Sequence, residues 1–150
     1  MNKKYHIWNG VGVGVGVTVV LVGVSDWRAV AVAIPGVTLP VVLGALLPDI
    51  DTEFGRHRKT GHNLFVLAAL VAFPAVYGNL RFVWLGVIGH FAVDLLLSKR
   101  GLALFYPLSK REYRTPGSVD HGPVGVVALA AVTALVVGAF ALVVYTAAAL

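Results

Sequence analysis

The sequence predicts an all-α integral membrane protein with about five transmembrane helices in a single membrane-embedded domain, residues 1–150. The chain is 58% hydrophobic and only 13% charged, and its mean hydropathy is +0.84, which is far more apolar than a soluble domain of this length. Stretches that lack Asp, Glu, Lys and Arg approach the roughly 17 to 25 residues that a helix needs to cross a bilayer. The predicted spans are residues 5–25, 29–48, 60–80, 82–97 (interrupted only by Asp94) and 121–150.

The basic residues predict the orientation of these spans. Of the 12 Lys and Arg residues, Arg28 and Arg81 lie in the first and third loops. The other ten lie in the amino-terminal tail and in the second and fourth loops: Lys3, Lys4, Arg56, Arg58, Lys59, Lys99, Arg100, Lys110, Arg111 and Arg114. Basic loops mark the cytoplasmic side, so we expect a multi-pass protein of the cell membrane with a cytoplasmic amino terminus.

The formal charge of +5 fits basic loops that contact anionic lipid headgroups. We therefore expect the lipid bilayer to be the main partner. The basic loops show neither interleaved aromatic residues nor the pattern of a recognition helix, so we expect no nucleic-acid partner.

Glycine and proline predict how the helices pack. Residues 10–16 read GVGVGVG, and glycines four apart let a neighbouring helix approach closely. Pro35 and Pro40 predict a second helix that is kinked or locally unwound. The apolar segment 101–108, flanked by basic residues, is predicted to lie in the membrane interface with Tyr106 at headgroup depth. The fifth span is assigned to anchoring and packing.

The histidines and three of the aspartates gather toward the predicted cytoplasmic side. The chain has no cysteine, so a metal site would need nitrogen and oxygen ligands. On the predicted topology all five histidines and three aspartates fall on or toward that side: His6, His57, His62, His90, His121, Asp49, Asp51 and Asp94. This placement predicts a metal site at the cytoplasmic face of the membrane.

His90 and Asp94 are four residues apart, which in a helix places both side chains on one face, where they can share one ion. A carboxylate at membrane depth costs roughly 2.5 to 3.5 kcal/mol. A divalent cation or a nearby arginine would offset that cost. The alternative is a buried hydrogen-bonded pair without a metal.

Asp49 and Asp51 follow Pro48 and point the same way only if the backbone is extended there, with the helix ending near Leu47. Two carboxylates presented together suit a bridging or two-metal site. The alternative is that they merely solvate a helix end, although negative charge at a helix carboxyl terminus opposes the macrodipole. His121 could be catalytic, and the alternative is that it forms a hydrogen bond within the helix packing. Arg56, Arg58 and Lys59 could contribute to the site, but at least two of the three are expected only to fix the orientation of the protein in the membrane.

With these residues in view, the chain resembles the LexA-regulated, membrane-bound, predicted metal-dependent hydrolase family. The matching pieces are GALLPDID at 44–51, HRKTGHNL at 57–64, GHFAVDLL at 89–96 and GLALFYPL at 101–108, in the family's order. The early His6 also matches. The chain departs at Gly61, where the family usually has threonine, at Asn63, where it usually has serine, and in the stretch LLLS at 95–98, which lacks the usual threonine of the family's Asp-x-x-Thr.

The resemblance implies a metal set of His6, Asp49, Asp51, His62, His90 and Asp94. It implies a metal-dependent hydrolase and does not specify the substrate. Our leading hypothesis is that one or more divalent ions, with zinc as the expected metal, hydrolyse a phosphoester, with lipid headgroups among the candidate substrates. In this hypothesis Asp51 bridges ions or acts as general base, His57 transfers a proton or orients a ligand, and Arg58 steadies developing negative charge. The rival hypothesis is a non-enzymatic membrane protein, either a metal-ion carrier or a structural helix module.

Overall fold

A computed structural model describes residues 3–50, 59–72, 78–98, 101–115 and 122–149. Over these residues the protein is all-α, and the structure assigns no strand to them, only an isolated antiparallel bridge between Leu102 and Tyr113. The predicted fold class is confirmed. The helices are α1 Lys3–Val22, α2 Trp27–Leu46, α3 Leu64–Ala72, α4 Val83–Leu97 and α5 Pro123–Ala148, with short 3-10 helices at Leu47–Ile50 and Gly78–Leu80.

Within the described residues, three of the predicted spans are helices long and apolar enough to cross a bilayer. They are Lys3–Val22, Trp27–Ile50 and Pro123–Ala148. The fourth span is the shorter helix α4 with 15 residues, about 22 Å at a rise of 1.5 Å per residue. The third span is described as the nine-residue helix α3.

The glycines of α1 set its two packing faces, as the sequence predicts. Gly10 lies against Val42 and Ala45 of α2, and Gly14 against Thr38. Gly12 and Gly16 lie against the α5 residues Thr133 and Val137. The numbering falls along α2 and rises along α5, so α2 runs antiparallel to α1 and α5 runs parallel to it.

Helix α4 runs antiparallel to α5. Leu85 shares a core cluster with Val136, whereas Val93 and Leu97, further along α4, share one with Val132, which is earlier in α5. The directions of α1, α2, α4 and α5 are therefore those that five alternating crossings require.

Two glycines allow the backbones of α2 and α4 to touch. Gly44 lies directly against the carbonyl of Val83, and Gly86 directly against the carbonyl of Val41. A methyl group at either position would overlap the opposing backbone. This crossing holds the carboxyl end of α2 next to α4, where the candidate site lies.

Gly44→Ala is expected to destabilise the protein by about 1–3 kcal/mol, because overpacking at this contact forces the two backbones apart. Gly36→Ala is the matched control in the same helix, since a Cβ there meets nothing within 4 Å. It should leave stability unchanged or raise it by up to about 1 kcal/mol. Thermal unfolding in detergent measures both variants, and equal melting temperatures would contradict this account of the crossing.

The structure bears on two local expectations about the second span. Helix α2 is continuous through Pro35 and Pro40, without the local unwinding predicted as one option. A helix survives the loss of single backbone bonds because, in a bilayer, unwinding would leave further polar groups unsatisfied. Beyond Leu46 the chain tightens into the 3-10 helix that contains Asp49, instead of the extended backbone expected there. The fixed φ of Pro48 is compatible with such a turn.

The segment 101–108 is tied into the protein at its beginning and exposed at its end. Leu102 and Tyr113 exchange two backbone hydrogen bonds of 2.9 Å, and the carbonyl of Leu104 accepts one of 2.9 Å from the backbone N–H of Leu64. Leu102 is fully buried, whereas Leu108 is 81% exposed. The position of this segment in the membrane interface stays a prediction.

Candidate metal centre

Five of the predicted metal-binding residues come together at one end of the helix bundle. His6 lies in the first turns of α1, Asp49 in the 3-10 helix after α2, His62 just before α3, and His90 and Asp94 in α4. These five residues form what we call the His/Asp cluster. The three histidines and Asp94 are at most 1% exposed, and the Asp49 side chain is 14% exposed.

Two nitrogens and two carboxylate oxygens of this cluster lie close to one another. The Nε2 atoms of His62 and His90 are 3.0 Å apart. Asp94 Oδ2 lies 3.6 Å from His62 Nε2 and 3.7 Å from His90 Nε2. Asp49 Oδ1 lies 3.7 Å from the former and 3.8 Å from the latter.

These separations can be compared with those of a tetrahedral zinc site. With bonds of about 2.0–2.2 Å, the ligand atoms of such a site lie about 3.3–3.6 Å apart. The five distances span 3.0–3.8 Å. The donor set of imidazole nitrogen and carboxylate oxygen therefore suits a divalent ion such as zinc, and the five distances lie within a few tenths of an ångström of that spacing.

The orientation of His90 is fixed by the end of α2. Its Nδ1–H donates to the carbonyl of Ala45 at 2.6 Å, and that carbonyl belongs to the last turn of α2, where helix carbonyls lack partners within the helix. Because a carbonyl can only accept, Nδ1 carries the proton and Nε2 offers its lone pair to the cluster. Metal-binding histidines are commonly oriented in this way.

His6 contacts the cluster from another side. Its ring stacks on that of His90 with the centroids 3.7 Å apart and the planes within 10°. Its Nε2 lies 3.6 Å from Asp94 Oδ1. Its Nδ1 is buried and makes no hydrogen bond to any residue that the structure describes.

Asn63 orders the turn that carries His62. Its side-chain oxygen accepts from the backbone N–H groups of Phe65 and Val66 at 3.1 and 3.0 Å, which caps the start of α3. Its amide nitrogen donates to the carbonyls of Lys59 and Thr60. The asparagine at this position thus supplies the capping acceptor that a serine would provide, together with a donor.

Sequence reasoning missed Asn9 and Thr133. Asn9 is fully buried, and its Nδ2 donates to Thr133 Oγ1 at 2.9 Å. Thr133 donates in turn to the carbonyl of Leu129 at 2.9 Å. These hydrogen bonds join α1 to α5 at Asn9, three residues after His6. The signal that could have indicated them is a pair of polar residues in otherwise apolar spans.

Four of the candidate site residues named from the sequence lie outside the residues that the structure describes: Asp51, His57, Arg58 and His121. Their assigned roles stay predictions.

Comparison with known families shows to which family the chain belongs. The family model described as "YdjM inner membrane protein" matches residues 1–150. The chain belongs to the YdjM inner membrane protein family. Neither the curated proteins nor the solved structures gave a match. Together with its apolar helices, membership identifies this YdjM-family protein as a multi-pass protein of the cell membrane.

Proposed function

We propose that this YdjM-family protein is a membrane-bound, metal-dependent hydrolase of phosphoesters that acts at the cytoplasmic face. The observation that carries the proposal is the His/Asp cluster, in which two imidazole nitrogens lie 3.0 Å from each other and 3.6–3.8 Å from two carboxylate oxygens. Three histidines and two aspartates from four different parts of the fold meet there. We take zinc as the expected ion because its preferred ligands are of these types.

The proposed division of labour follows from burial and orientation. His62, His90, Asp49 and Asp94 would hold the ion, and the Ala45 carbonyl would keep His90 turned toward it. A divalent ion at such a site supplies Lewis acidity toward a phosphoryl group and favours ionisation of water near neutral pH. Asp51 is proposed as a bridging ligand or general base, His57 as an orienting or proton-transfer group, and Arg58 as a stabiliser of negative charge on the phosphoryl oxygens.

The proposed substrate is a phosphoester at the membrane surface, and a phospholipid headgroup is the leading candidate. The cluster lies where α1 begins and α2 ends, which the basic loops predict to be the cytoplasmic side. Asp49 is more exposed than the other cluster residues, at 14%, so a substrate would approach from its side. Burial of the others excludes bulk water from the rest of the site.

A second candidate function is a structural module in which the cluster holds the helices together without a metal. The observation that favours it is the 3.0 Å between His62 Nε2 and His90 Nε2, which is also the length of a direct hydrogen bond. A proton on His62 Nε2 would complete that bond. This candidate predicts a protein that retains no metal.

The test is an assay of the zinc-loaded protein in detergent against phospholipids in mixed micelles and soluble phosphoesters. Chelated protein and an Asp94→Asn variant serve as comparisons, and Asp26→Asn, which alters a distant carboxylate, is the control. We expect hydrolysis of at least one substrate by wild type and Asp26→Asn, with loss on chelation and in Asp94→Asn. Equal rates in all four samples, or no hydrolysis by protein that holds zinc, would contradict the proposal.

A further inference from the structure

We infer that the His/Asp cluster holds two divalent ions, with Asp94 as the carboxylate that bridges them and His6 as a ligand of the second ion. The inference rests on the proposed metal centre and specifies its nuclearity. The sequence placed a bridging role on Asp51, whereas the geometry of the described residues points to Asp94.

The stacking of His6 on His90 carries the first step. The two rings are 3.7 Å apart at their centroids and within 10° of parallel. The lone pair of an imidazole nitrogen lies in the plane of its ring, so a bound ion lies in that plane about 2.1 Å from the nitrogen. An ion in the plane of one of two stacked, nearly parallel rings lies outside the plane of the other. One ion therefore cannot bind both rings in plane.

Two ions match this separation. In two-metal sites the ions lie about 3.5–4 Å apart, which is close to the 3.7 Å between the stacked rings. An ion in the plane of His90 would be the one shared with His62. An ion in the plane of His6 would be its neighbour.

Asp94 divides its two oxygens between these positions. Oδ2 lies 3.6 Å from His62 Nε2 and 3.7 Å from His90 Nε2, and Oδ1 lies 3.6 Å from His6 Nε2. Each oxygen thus faces a different imidazole set, which is the arrangement of a bridging carboxylate.

The state of His6 is the independent observation. It is 1% exposed, its Nδ1 has no hydrogen-bond partner among the described residues, and its Nε2 is 3.6 Å from Asp94, beyond direct hydrogen bonding. Buried polar groups are rarely left in this condition. A nitrogen of His6, one of His90 and an oxygen of Asp49 also lie within 4.8 Å of one another, so Asp49 lies near both proposed positions.

The experiment counts ions in the full-length protein in detergent. Chelated protein is reloaded with Mn²⁺, freed of excess ion by gel filtration, and analysed for metal content and by low-temperature electron paramagnetic resonance. His6→Phe keeps an aromatic ring on His90 and removes both nitrogens. Trp8→Phe is the control, because this ring on the same helix is 66% exposed.

We expect two ions per chain and a spin-coupled Mn²⁺ pair in wild type and Trp8→Phe, and one ion with an uncoupled spectrum in His6→Phe. One uncoupled ion in wild type would overturn the two-ion inference and leave a single-ion centre standing. Wild type that retains neither Mn²⁺ nor, after the same treatment, zinc would overturn the metal centre itself, and with it the proposed function. If His6→Phe does not fold, the count and the spectrum of wild type alone decide.

Discussion

Asp94→Ala is expected to lower the affinity of the protein for zinc by more than about 100-fold. Loss of a residue that only orients a ligand lowers metal affinity 10–100-fold. Asp94 is proposed to bind the ion itself, so its loss should have a larger effect. Its two oxygens lie 3.6–3.7 Å from the Nε2 atoms of all three histidines of the cluster. Competition against a chelator of known affinity, followed by metal analysis of the purified protein, measures the change.

Two further variants separate ligand loss from misfolding. Asp94→Asn keeps the volume of the side chain and removes its charge, and it should also lose zinc. Asp26→Asn is the matched control, because Asp26 accepts from the backbone N–H groups of Arg28 and Ala29, and asparagine caps a helix equally well. Unchanged zinc content in Asp94→Ala would remove Asp94 from the ligand set.

Removal of the metal is expected to lower the free energy of unfolding by about 4 kcal/mol when the starting free-ion concentration is 1,000 times the dissociation constant. The physical reason is that the ligands come from α1, α4, the 3-10 helix after α2 and the turn before α3, so that the ion links elements that unfolding separates. Thermal unfolding in detergent, with zinc and with a chelator, measures the difference.

Whether Asp94→Asn stabilises or destabilises the protein should depend on whether the metal is bound. Without an ion, Asp94 is a carboxylate buried at 1% exposure, and replacing a buried charge with a neutral isostere is often neutral or stabilising. With saturating zinc, wild type should be the more stable of the two. A hydrogen-bonded structural module predicts instead that Asp94→Asn is destabilising under both conditions and that a chelator has no effect.

The arrangement of the fold could be predicted from the sequence because a bilayer restricts the choices. Apolar stretches of sufficient length must be helices, and the placement of the basic residues orients them. The interval from His90 to Asp94 is one helical turn, and the side chains indeed face each other with Nε2 and Oδ2 3.7 Å apart. Glycines four apart in α1 likewise indicated the close contacts now seen with α2 and α5.

The details that give the cluster its geometry have no local signal. The stacking of His6 on His90 depends on the angle at which α1 meets α4, and the bond from His90 to the Ala45 carbonyl depends on the crossing of α2 and α4. The 3-10 turn at Asp49 replaced an expected extended segment. Contacts between distant residues decide such features, and periodicity within one helix does not report them.

The central claim is that imidazoles and carboxylates from separate helices bind a cation at one end of the bundle. X-ray absorption spectroscopy at the zinc edge of the loaded, washed protein tests it most directly. We predict a shell of nitrogen and oxygen at about 2.0–2.2 Å with the outer scattering of more than one imidazole, and loss of this signal in Asp94→Ala. Zinc bound through oxygen alone, or protein that retains no zinc after washing, would contradict the account.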